Sequence, residues 1–155
     1  TQSQAILKYA GKLAKLYPSE PLEVLAVDGV LNLVGDIAEP LNVSIHPERF
    51  GFGKFKDEQA KLKTRKYLND VHLPKGLENL DNLLAENKSG YTVGAKLTIA
   101  DILIYVLGAR LKSGLLDGID KELFGKYKNL EGLFQRVGKI PAVEKWLEVE
   151  AKHRS

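Results

Sequence analysis

The 155-residue chain contains no cysteine and no methionine, and only one tryptophan. Without cysteine there is no disulfide, no thiolate metal site and no thiol nucleophile. His46, His72 and His153 have no partners at metal-ligand spacing, so no metal centre is expected. Without methionine the chain has no initiator. It opens on Thr1, and the expectation is that a segment belonging upstream is missing. No apolar run is long enough to span a bilayer and no signal-peptide core is visible, so no membrane partner is expected and the expected location is cytoplasmic. Charge of one sign is also lacking: 23 Lys and Arg against 20 Asp and Glu leave a net charge of +3. That balance is too even to argue for nucleic acid without a local patch.

Strand signals are nearly absent, whereas apolar residues recur at helical spacing, which predicts an all-α bundle. Ile6, Tyr9, Ala10, Leu13 and Leu16 form one stripe of a helix over roughly 3–15, with Lys8, Lys12 and Lys15 off it. Pro18 and Pro21 interrupt it, and Ser19 is positioned to cap a second helix over roughly 20–42. A long helical region follows over roughly 55–87, which Pro74 is expected to kink or split. "LTIADILIYVLGARL" is apolar nearly all round, as a buried central helix requires. Shorter helices are expected over roughly 118–152, with Pro141 in the first turn of the last. Trp146, flanked by charges, reads as packing for that helix together with Val143 and Leu147.

Several short stretches carry more specific information. In "GAKLTIAD", Thr98 and Asp101 stand at N-cap and N3, a capping box with Asp in place of Glu, and Leu97 and Ile102 occupy the staple positions. A structural cap explains Asp101 better than a catalytic acid does. Ser3 begins the first helix. It either caps that helix or, with the free N–H groups beside it, receives a carboxylate; local physics alone favours the cap. Asp28, Asn32 and Asp36 recur at i, i+4 and i+8, opposite the apolar stripe of the second helix and beside Gly29 and Gly35. They form either a solvated face or a subunit contact offering acids to an ammonium. His46, Phe50, Phe52 and Phe55 lie in or beside a Gly-rich loop that either pins itself to the bundle or lines an apolar cleft. Lys54, Lys56, Lys61, Lys63, Arg65 and Lys66 read as a solvated basic face.

Taken together, "TQSQAILKYAGKLAKLYP", "GAKLTIADI" and "NLEGLFQRVGKIPAVEKWLE" resemble the second half of a cytosolic glutathione transferase, in the family's order and over essentially the whole chain. The resemblance implies that residues 1–16 are the C-terminal remnant of a thioredoxin-like glutathione-binding domain. It makes 17–21 a linker and 22–155 the all-α C-terminal domain. It implies that Gln2 and Ser3 hold the γ-glutamyl carboxylate of glutathione, and that Asp36 reaches the γ-glutamyl amino group of glutathione on a partner subunit of a homodimer. It places His46, Phe50 and Phe52 beside the pocket for a small hydrophobic electrophile. The implied reaction joins the glutathione thiolate to that electrophile, with glutathione as substrate and no metal. The family's catalytic Tyr, Ser or Cys has no counterpart here. Tyr9 and Tyr17 are no substitutes, so this chain is expected to be inactive alone. A different class of function also remains open: a transferase-like domain kept for docking in a multi-protein complex, such as those of translation elongation factors.

Overall fold

The computed structural model describes residues 2–154. The limits of the expected domains at 1 and 155 therefore fall on residues outside that range. The described residues are helical and contain no strand. The helices are α1 (Ser3–Leu13), α2 (Pro21–Ile45), α3 (Glu58–Tyr67), α4 (Leu73–Asn87), α5 (Ile99–Lys112), α6 (Lys128–Gly138) and α7 (Pro141–Arg154). None is long and apolar enough to cross a membrane. Helices α2, α4, α5 and α6 enclose the core, where Leu31, Leu41, Leu77, Ile104, Phe124 and Leu133 are fully buried.

The ends of α2 show how local chemistry sets the boundaries. Pro21 occupies the first turn, where its missing N–H costs nothing. The cap is Glu20 and not Ser19: the Glu20 carboxylate accepts from the Glu23 N–H at 2.8 Å. The helix runs through Pro40 and closes with His46 N–H on Asn42 O at 3.0 Å, beyond its expected end. Pro47 then starts a short 3-10 turn, Pro47–Phe50.

The expected break at Pro74 takes another form. A π-helical stretch, Leu68–His72, lies between α3 and α4, and its flanking residues keep right-handed helical dihedrals. Pro74 sits in the first turn of α4. A wider turn just upstream accommodates a ring that would crowd the carbonyl four residues earlier in a regular helix. At Gly76 the chain comes so close to α2 that a Cβ would collide with Ile37 Cγ1.

Helix α1 packs on the bundle through a face other than the stripe of Ile6, Tyr9 and Leu13. Gly11 is buried against Ile99, and Leu7 and Leu16 pack on the core. The stripe of Ile6, Tyr9 and Leu13 points outward, 58%, 66% and 70% exposed. Specific polar bonds decide this. Gln4 Nε2 donates to Leu31 O at 3.3 Å, Lys8 Nζ pairs with Asp28 at 2.9 Å, and Tyr17 OH donates to Asp28 at 2.9 Å. The Ile99 N–H donates to Leu16 O at 2.9 Å, so the segment just after α1 satisfies a first-turn donor of α5.

Between α5 and α6, Lys112 Nζ meets Glu131 at 2.6 Å. Lys112, then Gln135, hold the Glu131 carboxyl below its ordinary 4.5 against the opposing effect of burial. A depressed folded-state value stabilises the protein above the unfolded pKa, and this is lost as pH falls through the folded value. Urea titrations should therefore show Glu131→Gln losing no more than about 1 kcal/mol near neutrality, and the difference from wild type shrinking below about pH 4.5.

Candidate functional site

Among the described residues, no side chain caps the amino end of α1. Gln2 holds the N-cap position in extended conformation, its side chain makes no cap hydrogen bond, and the first turn contains no acidic residue. Ser3 is the first helical residue and is exposed, so it does not cap its own helix. The first intrahelical bonds run from Ala5 and Ile6 to Gln2 O. The N–H groups of Ser3 and Gln4 precede them and have no acceptor within the helix. A hydroxyl and two such N–H groups at the positive end of a helix suit a carboxylate.

Gln4 ties this end to α2. Besides its bond to Leu31 O, its amide stands 3.5 Å from where a Gly35 Cβ would be. Gly35 thus admits a side chain of α1, and the first turn of α1 lies beside the stretch of α2 that ends in Asp36. The acids at i, i+4 and i+8 prove unequal. Asp28 is half-buried and engaged by Lys8 and Tyr17, whereas Asn32 and Asp36 are exposed. At Gly29 nothing stands within 4 Å of a built Cβ, so the surface there is open.

The aromatic loop divides. Phe52 and Phe55 line a groove of about 480 Å³ with Pro40, Val43, Pro47 and Leu68. His46 and Phe50 do not line it; His46 instead lies 3.5 Å from Glu48. Among the described residues no cluster of His, Cys, Asp or Glu is built to hold a metal. His72 and His153 are separate: His72 Nε2 is buried without a hydrogen-bond partner, and His153 Nδ1 lies 2.9 Å from Val149 O.

Thr98 and Asp101 form the expected capping box, and the cap extends further than the sequence motif. Asp101 is completely buried. Its carboxylate accepts from Thr98 N–H at 2.7 Å and Thr98 Oγ1 at 3.1 Å, and from both Thr92 N–H and Thr92 Oγ1 at 2.8 Å. All of these bonds hold the start of α5, so Asp101 is structural.

Two features escape sequence reasoning. Arg65 belongs to the run read as a solvated basic face, yet it is only 4% exposed. Its guanidinium donates to Asp117 O and Ser44 O, and burial pushes its pKa down. The second is a cleft of about 700 Å³ between α5 and α7, lined by Val106, Ala109, Arg110, Val143, Trp146 and Leu147 among others. Trp146 is 64% exposed and forms part of this wall, so it does not pack into the bundle as expected. Val143 does pack against the core. A signal for the cleft existed in the one arginine within "LTIADILIYVLGARL".

The profile of the family "Glutathione S-transferase, C-terminal domain" matches residues 48–150. Glutathione S-transferase 1 of Ascaris suum is 27% identical over 151 residues, covering 97% of this chain and 68% of that protein. The chain spans between 30% and 68% of the length of the curated relatives it matches. Among solved structures, the glutathione S-transferase from Ascaris lumbricoides is 27% identical with a TM-score of 0.73, covering 96% of this chain and 67% of that one. Prostaglandin synthase D of Nilaparvata lugens is 23% identical with a TM-score of 0.77, over 95% of this chain and 67% of that one, and shows the shared fold. The helical order, the Thr98–Asp101 cap and these matches agree: the chain belongs to the glutathione S-transferase C-terminal domain family.

Proposed function

We propose that the whole protein, of which this chain supplies the helical part, is a glutathione transferase that joins the glutathione thiolate to small apolar electrophiles. The observation that carries this reading is the exposed amino end of α1, uncapped among the described residues, beside the part of α2 that carries Asp36. The free N–H groups and hydroxyl of Ser3, with Gln2, would receive the γ-glutamyl carboxylate. The exposed Asp36 carboxylate would take the γ-glutamyl ammonium of glutathione bound by a partner subunit. Homodimerisation is part of the proposal, and the exposed Leu22 and Leu25 on α2 and the open surface at Gly29 support it. The outward stripe of Ile6, Tyr9 and Leu13 fits burial under a thioredoxin-like domain, which would supply the catalytic hydroxyl. A cytoplasmic, detoxifying role belongs to the same reading.

Calorimetric titration of the full-length protein with glutathione tests it. Ser3→Ala should weaken binding about 10-fold, and Asp36→Ala several-fold, by removing bonds to charged groups. Full-length protein that binds no glutathione would remove the reading. Binding without turnover on any electrophile would favour the docking role instead.

A further inference from the structure

The ties that hold α1 to the bundle are unevenly placed along it. Gly11 is buried against Ile99, Leu16 O accepts from the Ile99 N–H, and Lys8 pairs with Asp28 at 2.9 Å, so the middle and the carboxyl end are fixed. The described side-chain bond nearest the amino end is made by Gln4, which is half-buried and whose Nε2 donates to Leu31 O at 3.3 Å. Within α2 that carbonyl faces the N–H of residue 35, one turn on, so Gln4 takes its second lone pair. Residue 35 is Gly, and the Gln4 amide lies 3.5 Å from where its Cβ would be, contact distance for a methyl and crowded for a longer side chain. A glycine inside a helix is unfavourable, and this approach gives Gly35 a reason to be there. Asp36 is the next residue, and it is exposed. One bond thus links the neighbour of Ser3 to the neighbourhood of Asp36.

We propose that Gln4 is a positioning residue for glutathione: it sets the distance between the Ser3 end of α1 and the helix that carries Asp36. The inference deepens the transferase reading and rests on it. A glutathione carboxylate held at Ser3 moves with α1, whereas Asp36 moves with α2. Asp36 serves the glutathione of the opposite subunit, so the span from Ser3 to the opposing carboxylate runs through Gln4, α2 and the subunit contact. A charge-assisted hydrogen bond is short and weakens steeply with distance and angle. Released from Leu31 O, the amino end of α1 would carry the carboxylate with it and leave the ammonium short of its acid. Gln4 therefore acts on one end group of glutathione and not on the other, without touching either.

The full-length protein is titrated calorimetrically with glutathione and with glutaryl-Cys-Gly, which keeps the carboxylate and the thiol but lacks the ammonium. Wild type is expected to prefer glutathione by about 5-fold or more, as one bond between charged groups provides. Gln4→Met has similar length but no donor. It should reduce the preference below about 2-fold by weakening glutathione, while glutaryl-Cys-Gly stays within about 2-fold of wild type. Gln4→Lys restores a donor of sufficient reach and should recover most of the preference. Gln4→Ala, which also lacks the donor, takes the place of the Met variant should that one fail to fold. A preference that survives intact without the donor overturns the inference. So does equal weakening of both ligands, which a general loosening of the fold would produce, or a lost preference that Gln4→Lys does not restore. Equal affinities in wild type overturn it too, because the Asp36 contact would then be absent. Wild-type preference for glutathione with Gln4→Met unchanged removes this inference alone. Wild type that binds neither ligand removes the transferase reading, and this inference with it.

Discussion

Asp101→Ala is expected to lower stability by about 3–5 kcal/mol, the largest effect of any single substitution considered for this chain. The carboxylate is fully buried and accepts four hydrogen bonds, two from the backbone N–H groups of Thr92 and Thr98. The threonine hydroxyls can turn to other acceptors, but the two N–H groups cannot. Each would be left buried and unpaired at a cost of about 1–3 kcal/mol, and the negative charge favoured at a helix start would go as well. The melting temperature of a domain this size should fall by roughly 10 °C. Asp101→Asn keeps the shape but places an NH2 against donors, and should recover only part of the loss. A loss under about 1 kcal/mol for Asp101→Ala would contradict this account. The consequence reaches the proposed site. Ile99 at the start of α5 bonds Leu16 O and packs on Gly11, so a loosened α5 start releases the seat of α1 and the position of Ser3.

Arg65→Ala is the second large expectation, at about 2–4 kcal/mol. Arg65 bridges two otherwise separate pieces of chain: Nη2 donates to Ser44 O in the last turn of α2 at 3.3 Å, and Nη1 donates to Asp117 O after α5 at 3.1 Å. A cation near the carboxyl end of α2 also complements the helix dipole. Truncation leaves both carbonyls short of a partner and a void where the side-chain stem runs past Gly118, whose built Cβ would stand 3.8 Å from Arg65 Cγ. The arginine is a costly solution, because it is buried away from any direct ion pair among the described residues and its Nε has no partner. Arg65→Met should therefore be much milder than Arg65→Ala, since it fills the void without burying a charge. Equal losses for the two variants, measured by urea unfolding, would show that the hydrogen bonds dominate and the void does not.

Helical periodicity, the cap at Thr98 and Asp101, and the sequence of motifs were legible in the chain itself, because each depends on residues within a few positions of one another. The all-α class and the family follow from them. Tertiary structure decided the rest. Helix α1 has apolar residues on two faces, and only the bonds of Gln4, Lys8 and Tyr17 to α2 and the close approach of Gly11 to Ile99 select the face that is buried. Arg65 and its neighbouring lysines look alike in sequence. Arg65 alone is buried, since the two carbonyls it serves come from residues 21 and 52 positions away along the chain. Arg110 and Trp146, distant in sequence, come to line one cleft only in the folded chain. Local spacing determines which elements form and how they begin. Which face is covered, and which charge is left without a counter-charge, depends on contacts between distant segments, and a one-dimensional pattern does not contain them.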